Sequence, residues 1–241
     1  MRAETRHQLK EDRFSKATLE AAEKTVHWTQ EHQSKLVAAA IAVVVIGAIA
    51  AGGWYYVQSQ DEKASSDLAA AVRTLQTPLR PPGTPAQPGF DSFQSLAERA
   101  TAARKQFQAI ADNYGETHTG KLARYFVGLT SAQLGDNATA EKTLQQVANS
   151  SDHDLSALGK FALASVYRAE NKDAQAVELY QQVIASPTVE VSKVTAQLEL
   201  ASFYESRQKP DEAKRIYDQI QKENPATEAA SLAQRRAAEL K

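Results

Sequence analysis

Histidines and neighbouring carboxylates are the residues of this chain whose chemistry could serve catalysis or metal binding, and they are few. The chain has five histidines and no cysteine, so it has no thiolate nucleophile, no disulfide and no cysteine-based zinc site. One cluster, Asp152-His153-Asp154, combines carboxylate and imidazole, which are both metal ligands. It is interpreted either as a weak metal site or as an ordinary surface segment between two helices. No cofactor is predicted.

The other histidines form no catalytic pattern. His7, His27 and His32 precede the apolar segment described below, and His118 falls in another predicted inter-helix segment. The chain carries no G-x-S-x-G motif, no H-E-x-x-H motif and no phosphate-binding glycine loop. We therefore predict a protein that is not an enzyme. The formal net charge of −1 comes from interspersed charges of both signs, so we expect no basic surface for nucleic acid.

An apolar segment near the amino terminus decides which solvent surrounds this part of the chain. Leu36 to Val57 is a run of 22 residues without a charged side chain. At about 1.5 Å per residue a helix of this length spans about 33 Å, enough to cross a hydrocarbon core of about 30 Å. Trp54, Tyr55 and Tyr56 end the run, and such rings favour the lipid–water boundary. Residues 36–57 are therefore predicted to form one transmembrane helix.

The orientation is predicted from the short segment before the helix. Segments rich in Lys and Arg tend to stay in the cytoplasm, whereas long exported domains cross the membrane largely regardless of their charge. Residues 1–35 are expected in the cytoplasm, as an amphipathic juxtamembrane helix or as a contact site, with the rest of the chain outside. A cleaved signal peptide is one alternative, since Ala48-Ile49-Ala50 has small residues at the right spacing. Signal peptides, however, have apolar cores of only about 7–15 residues. An unusually apolar helix of a soluble protein is the other alternative.

Residues 58–90 are predicted to connect the membrane helix to the main domain. Residues 58–76 have the pattern of a helix that continues out of the membrane, with one apolar face formed by Leu68, Ala71, Val72 and Leu75. Residues 77–90 contain five prolines, which lack an amide donor and disfavour helix in the preceding residue. This loop is interpreted as a stiff linker or as a docking ligand for a proline-binding partner.

Residues 91–241 show a helical pattern that recurs with a nearly constant period. Three stretches align without gaps, namely Lys121–Asp152, Ala157–Thr188 and Val194–Pro225. An alanine begins the second helix of each at positions 140, 176 and 213, in steps of 36 and 37 residues. Two short helices cannot bury their apolar faces alone, whereas stacked copies form a continuous core. The pattern predicts an all-α solenoid of helical hairpins, closed by a capping helix at residues 226–240.

The repeated unit resembles the tetratricopeptide repeat, a 34-residue helix–turn–helix. That repeat has Leu, a small residue and Tyr in its first helix, A, and Ala and an aromatic residue in its second, B. The second stretch matches with Leu163-Ala164, Tyr167, Ala176 and Tyr180. The first stretch departs from it, because Ser131 occupies the position of the tyrosine. The resemblance implies a solenoid whose A helices line a concave groove.

The resemblance assigns the groove to the fifth, ninth and twelfth positions of each helix A. Positions are counted from the first residue of each aligned stretch, Lys121, Ala157 and Val194. The predicted partner-binding residues are Tyr125, Leu129, Phe161, Ser165, Arg168, Leu198, Ser202 and Glu205. Ala132 holds the twelfth position of the first repeat. Some relatives clamp a carboxylate with Lys, Asn and Arg at such places, but only Arg168 fits that pattern here. The apolar column suits a helix or an extended apolar segment of a partner, and packing within the superhelix is the alternative.

The whole layout resembles the YfgM-like family, ancillary subunits of the SecYEG translocon. Two local features support this resemblance, Gly53-Trp54-Tyr55-Tyr56 and Asp112-Asn113-Tyr114 followed by Thr117. It implies a single-pass protein of the bacterial inner membrane with a periplasmic repeat domain. The implied partners are translocon subunits, a membrane-bound periplasmic chaperone and exported client proteins. An envelope-assembly or cell-wall coordination factor is the alternative, although such proteins are normally soluble or lipidated on a cysteine. The oligomeric state stays open.

Overall fold

The computed structural model describes residues 33–81, 83–85 and 92–240. In these residues there are nine α-helices: α1 (Gln33–Gln76), α2 (Leu96–Asn113), α3 (His118–Gln133), α4 (Asn137–Ala148), α5 (His153–Ala169), α6 (Asp173–Ala185), α7 (Lys193–Ser206), α8 (Pro210–Glu223) and α9 (Glu228–Glu239). The predicted all-α class is confirmed. Most of the predicted cytoplasmic tail and its three histidines, together with part of the proline-rich loop, lie outside the described residues.

Helix α1 carries the apolar segment. From Ile41 onward it contains a window with a mean hydropathy of 1.6, none of which is buried in protein. Ile49 and Trp54 are each 70% exposed. Apolar side chains that face outward on every side of a helix are stable in hydrocarbon and costly in water. The structure thus contains one helix that is long and apolar enough to cross a membrane.

A second compact unit begins at Val57, within α1. The part of α1 that belongs to this unit contributes Ala64 and Ala71, both fully buried, to its first apolar cluster. The cluster also contains Phe107 of α2 and Val127 of α3. The ring of Phe107 stacks on that of Phe126 with 4.9 Å between centroids. Residues 57–76 therefore do more than connect two parts of the chain, since they supply core residues of the first hairpins.

The hairpins α3–α4, α5–α6 and α7–α8 repeat the same geometry. The turn inside each hairpin has one residue with positive φ, at Gly135 (77°), Asn171 (59°) and Gln208 (57°). These positions are separated by 36 and 37 residues, the same steps as the alanines at 140, 176 and 213. Each of these alanines is the fourth residue of its B helix, and not the first as the sequence pattern predicts. Those alanines are fully buried, and so are the large residues four positions later, Leu144, Tyr180 and Tyr217. The predicted period is confirmed by both backbone and packing.

Helix α9 closes the last hairpin. Its buried face consists of Ala230, Ala233 and Ala237. Ala233 and Ala237 belong to one apolar cluster with Tyr217 and Ile220 of α8. The alanines allow close approach because they carry only a methyl group. The predicted capping helix is confirmed, with bounds that differ from residues 226–240 by one or two residues.

Candidate protein-binding groove

Four of the eight predicted groove residues line one cavity of about 260 Å³. They are Tyr125 and Leu129 of α3 and Phe161 and Ser165 of α5. The lining is completed by Ala132, Asn137, Ala162, Val166 and Ala169. None of these nine side chains carries a charge. We refer to this cavity as the anchor pocket.

The register of the A helices explains why these side chains meet. Positions five and nine of a helix are one turn apart and lie on the same face. Stacking then sets this face of α3 beside the same face of α5. Ala162 and Val166 of α5 belong to the buried cluster beneath the pocket, and Tyr125 and Leu129 of α3 pack against that cluster. Phe161 is held by Tyr180 of α6, with 5.8 Å between ring centroids and an edge-on angle of 76°. The pocket wall is therefore part of the packed core.

The twelfth position of helix A differs in chemistry between the repeats. The first repeat has Ala132 there, and the next two have Arg168 and Glu205. The Arg168 guanidinium lies 3.6 Å from the Glu199 carboxylate. The Glu205 carboxylate accepts a hydrogen bond of 2.9 Å from the Tyr217 hydroxyl. The twelfth side chain is thus a methyl group in the first repeat and a charged group with a polar partner in the next two.

The other four predicted residues do not line the anchor pocket. Arg168 and Glu205 make the polar contacts just described, and Leu198 packs against the last apolar cluster. Ser202 is half-buried one turn along from Leu198. The lining residues that the sequence prediction missed are Ala132, Asn137, Ala162, Val166 and Ala169. A comparison of the twelfth positions could have indicated Ala132, whereas nothing in the pattern marks Asn137, which approaches from the start of α4.

Two tyrosines, one that lines the pocket and one that packs behind Phe161, have raised pKa values. Burial raises the pKa of Tyr125 above its ordinary value. Burial also raises the pKa of Tyr180, while a hydrogen bond with Ser165 lowers it in part; the two hydroxyl oxygens are 3.4 Å apart. The nine lining residues include neither a carboxylate nor an imidazole.

The histidine and carboxylate cluster has a structural role. Asp152 caps α5 by accepting hydrogen bonds from the backbone N–H groups of Asp154 and Leu155. His118 Nδ1 lies 3.1 Å from an Asp152 carboxylate oxygen, and His153 Nε2 lies 2.8 Å from the Ser186 hydroxyl. Both histidines begin helices, so their predicted placement between helices is wrong. In the part of the chain that the structure describes, no group of three His, Asp or Glu could hold a metal ion.

Comparisons with known proteins agree with this architecture. A family model described as a tetratricopeptide repeat-like domain matches residues 26–187, and one described as a tetratricopeptide repeat matches residues 195–227. No curated protein matches the chain. One similar solved structure is the crystal structure of nearly identical TPR-like repeats from a Podosopora anserina protein named for kinesin light chain. The TM-score is 0.55 at 17% identity, covering 74% of this chain and 84% of that one. At that identity the likeness shows the fold alone.

Proposed function

Because the chain belongs to the tetratricopeptide repeat-like domain family, we propose that it is a membrane-anchored scaffold that binds other proteins through the groove of its A helices. Solenoids of this kind use extended concave surfaces for binding. The observation that carries the proposal is the anchor pocket, which is apolar, uncharged and built from repeated positions of two A helices. Such a surface suits an apolar segment of a partner protein.

The apolar part of α1 is the proposed anchor. We assign it to the bacterial inner membrane, with the amino terminus in the cytoplasm and the repeats in the periplasm. The window of high hydropathy supports the anchor. Trp54, Tyr55 and Tyr56 are exposed at its end, as aromatic residues at a membrane boundary usually are. The chain would then span the membrane once.

The proposed partners are translocon subunits, a membrane-bound periplasmic chaperone and exported client proteins. The support for them is the resemblance of the whole layout to ancillary translocon subunits, together with a groove that suits apolar segments. Repeats of this family typically act as scaffolds without enzymatic activity, and the sequence has no catalytic motif. We therefore propose a binding role in which the protein helps exported chains pass from the translocon to the chaperone.

Photo-crosslinking in intact cells tests the proposed partners. A photoreactive amino acid replaces Tyr125 or Phe161 in the full-length protein, and the matched control replaces Gln146, an exposed residue of α4 that does not line the anchor pocket. We expect the two groove positions, and not the control, to capture translocon subunits, a periplasmic chaperone and exported proteins. Recovery of envelope-assembly proteins alone would overturn the translocon assignment in favour of an envelope-assembly factor.

Membrane fractionation with protease added from the periplasmic side tests the anchor. We expect the intact protein in the membrane fraction, with the repeats cleaved and a fragment that retains residues 1–35 protected. A protein recovered from the soluble fraction would contradict the anchor. A size that corresponds to loss of the first 50 residues would instead show that the segment is a cleaved signal peptide.

A further inference from the structure

We propose that the protein has a second binding site, on the side of its B helices, which takes one tyrosine side chain of a partner protein. The site is a cavity of about 540 Å³ between α2 and the α3–α4 hairpin. It is lined by Thr101, Arg104, Lys105, Gln108, Ala109, Asp112, Val127, Asp136 and Thr139, and we refer to it as the B-helix cavity. It shares no residue with the anchor pocket, so the inference goes beyond the proposed function.

Helix α2 precedes the first repeat in the way that each B helix precedes the next repeat. Its Ala103 is fully buried and lies 37 residues before Ala140, which is one repeat. Arg104 therefore corresponds to Glu141 of α4. The B-helix cavity thus lies where one repeat meets the next, and because the repeats share their geometry, the later ones show which side chain fills that place.

In the second repeat a tyrosine fills this place. Tyr167, at the eleventh position of helix A, is buried, and burial and the nearby Glu141 carboxylate raise its pKa. The Lys172 ammonium lies 5.2 Å from the centroid of this ring and 2.7 Å from a Glu141 carboxylate oxygen. In the third repeat the Lys209 ammonium lies 6.0 Å from the ring centroid of Tyr204. A tyrosine ring beside the cation of the hairpin turn is thus common to both repeats.

The first repeat has the surrounding groups without the ring. Ser131 holds the eleventh position, one turn along α3 from Val127, which lines the cavity. The Ser131 hydroxyl is fully buried and forms no hydrogen bond among the described residues. Arg104 and Asp136 form the ion pair of this place, at 3.1 Å and with the charges exchanged relative to the second repeat. A tyrosine ring from another protein would complete the arrangement that the later repeats contain.

The lining favours a phenol over a charged or an aliphatic side chain. Two cations and two carboxylates line the cavity, so it has no net charge that would attract an anion. Lys105 is exposed and forms no ion pair within the part of the chain that the structure describes, so its ammonium can face an aromatic ring. Val127 and Ala109 supply apolar contacts. The Asp136 carboxylate accepts two hydrogen bonds within the chain, and its remaining lone pairs can accept one from a phenol.

Two substitutions and a matched control test the cavity. Ser131→Tyr should place a ring against the ion pair of the first repeat, as Tyr167 lies against that of the second, and so occupy the cavity from within. Lys105→Ala removes a cation without breaking an ion pair. Lys142→Ala is its control, because Lys142 is exposed at the same position one repeat later, where the chain supplies its own tyrosine.

The assay uses the full-length protein in nanodiscs and nonapeptides of Gly, Ser and Thr with a central Tyr, Phe, Leu or Glu beside a photoreactive diazirine residue. Mass spectrometry locates the crosslinks after illumination. The fraction formed with residues 101–105, measured against peptide concentration, gives an apparent affinity for the cavity alone, because these residues do not line the anchor pocket. Peptide bound in the groove of the A helices is therefore not counted.

The central residue of the peptide tests the chemistry of the site. We expect the Tyr peptide to bind about threefold to tenfold more tightly than the Phe peptide, the range for one neutral hydrogen bond. The Phe peptide should bind about twofold to fivefold more tightly than the Leu peptide, the range for one cation–π contact. The Glu peptide should bind no more tightly than the Leu peptide, because the cavity has no net charge.

The variants test the place of binding. Ser131→Tyr should weaken the Tyr peptide by at least about tenfold, because a second ring would overpack the occupied place. Lys105→Ala should weaken it by about twofold to fivefold, and Lys142→Ala should leave its affinity unchanged. Circular dichroism melts show whether each variant folds. If Ser131→Tyr does not fold, the comparison of Lys105→Ala with Lys142→Ala decides the test.

The results that overturn this inference differ from those that overturn the proposed function. Equal affinity for the Tyr and Leu peptides, tighter binding of the Glu peptide, or equal effects of Lys105→Ala and Lys142→Ala would each overturn the tyrosine site. Unchanged binding to a folded Ser131→Tyr variant would do the same. The scaffold function would stand in all these cases if Tyr125 and Phe161 capture partner proteins in cells. If they capture none while the Tyr peptide binds at residues 101–105, the groove proposal fails and the tyrosine site stands.

Discussion

Single polar side chains hold the turns of successive hairpins together. Arg207, at the end of α7, donates from Nε to both carboxylate oxygens of Asp173 at 3.0 Å. Its Nη2 donates to the Arg168 carbonyl at 2.9 Å and to the Asn171 side-chain oxygen at 3.0 Å. Its guanidinium also lies 5.3 Å from the ring centroid of Phe203. The planar guanidinium thus binds four acceptor oxygens on three residues of the preceding turn at once, which an ammonium cannot do with the same geometry.

Replacing this arginine should destabilise the last hairpins. We expect Arg207→Ala to lower the free energy of unfolding by about 1–3 kcal/mol, because it removes the charge-assisted hydrogen bonds to Asp173 and those to the Arg168 carbonyl and the Asn171 side chain. Arg207→Lys should recover only part of this loss. Arg215→Ala is the control, since Arg215 is exposed on α8, and a change within about 0.5 kcal/mol is expected. Urea unfolding followed by circular dichroism measures all three, and full recovery by lysine would contradict the geometric argument.

At the scale of helices, the sequence predicts the packing that recurs within each hairpin. Every hairpin has to bury the same face, so the buried alanines at 140, 176 and 213 and the helices around them follow from periodicity. Contacts between distant segments leave no such signal. Asp61 of α1 accepts a hydrogen bond of 2.9 Å from the Thr119 N–H at the start of α3, 58 residues away. Nothing in the local sequence around either residue indicates that contact.

The third position of helix A shows a second limit of the repeat pattern. It is Ala123 in the first repeat, Gly159 in the second and Ala196 in the third. Alignment of the repeats therefore predicts that alanine at position 159 would not lower the stability. In the structure a Cβ at Gly159 would lie 2.7 Å from the Val147 carbonyl carbon and would also meet the backbone of Ala148. Helices α4 and α5 therefore approach each other more closely than the repeat pattern requires.

Substitution of this glycine tests that approach. Alanine favours the helix by about 1 kcal/mol over glycine, but Gly159→Ala forces a backbone shift that costs about 1–3 kcal/mol. We expect a net loss of stability. Gly128→Ala is the comparison, because its Cβ would meet only the Leu144 side chain, at 2.5 Å and 2.6 Å, and a side chain yields more easily than a backbone. Thermal melts should show a lower Tm for Gly159→Ala than for Gly128→Ala, and the reverse order would contradict the argument.

The repeat domain buries its apolar side chains in successive clusters along the stack. Leu144 belongs to a cluster formed by α3, α4, α5 and α6, and Ile220 belongs to one formed by α7, α8 and α9. Both side chains are fully buried. In a stack whose repeats contact mainly their neighbours, a local loss of packing lowers the stability of adjacent hairpins first. The backbone amides of distant hairpins are expected to stay protected from hydrogen exchange.

A reciprocal pair of substitutions measures this locality. Truncating either side chain to alanine should cost about 2–5 kcal/mol in its own cluster. Hydrogen exchange of the full-length protein should then show that Ile220→Ala raises the exchange rate over residues 193–239 and leaves residues 118–148 unchanged. Leu144→Ala should raise exchange in residues 118–148 and leave residues 210–239 unchanged. If both variants raise exchange uniformly from α3 to α9, the repeats unfold as one cooperative unit and the local description of their stability is wrong, because the truncation of one buried side chain would then destabilise the entire stack.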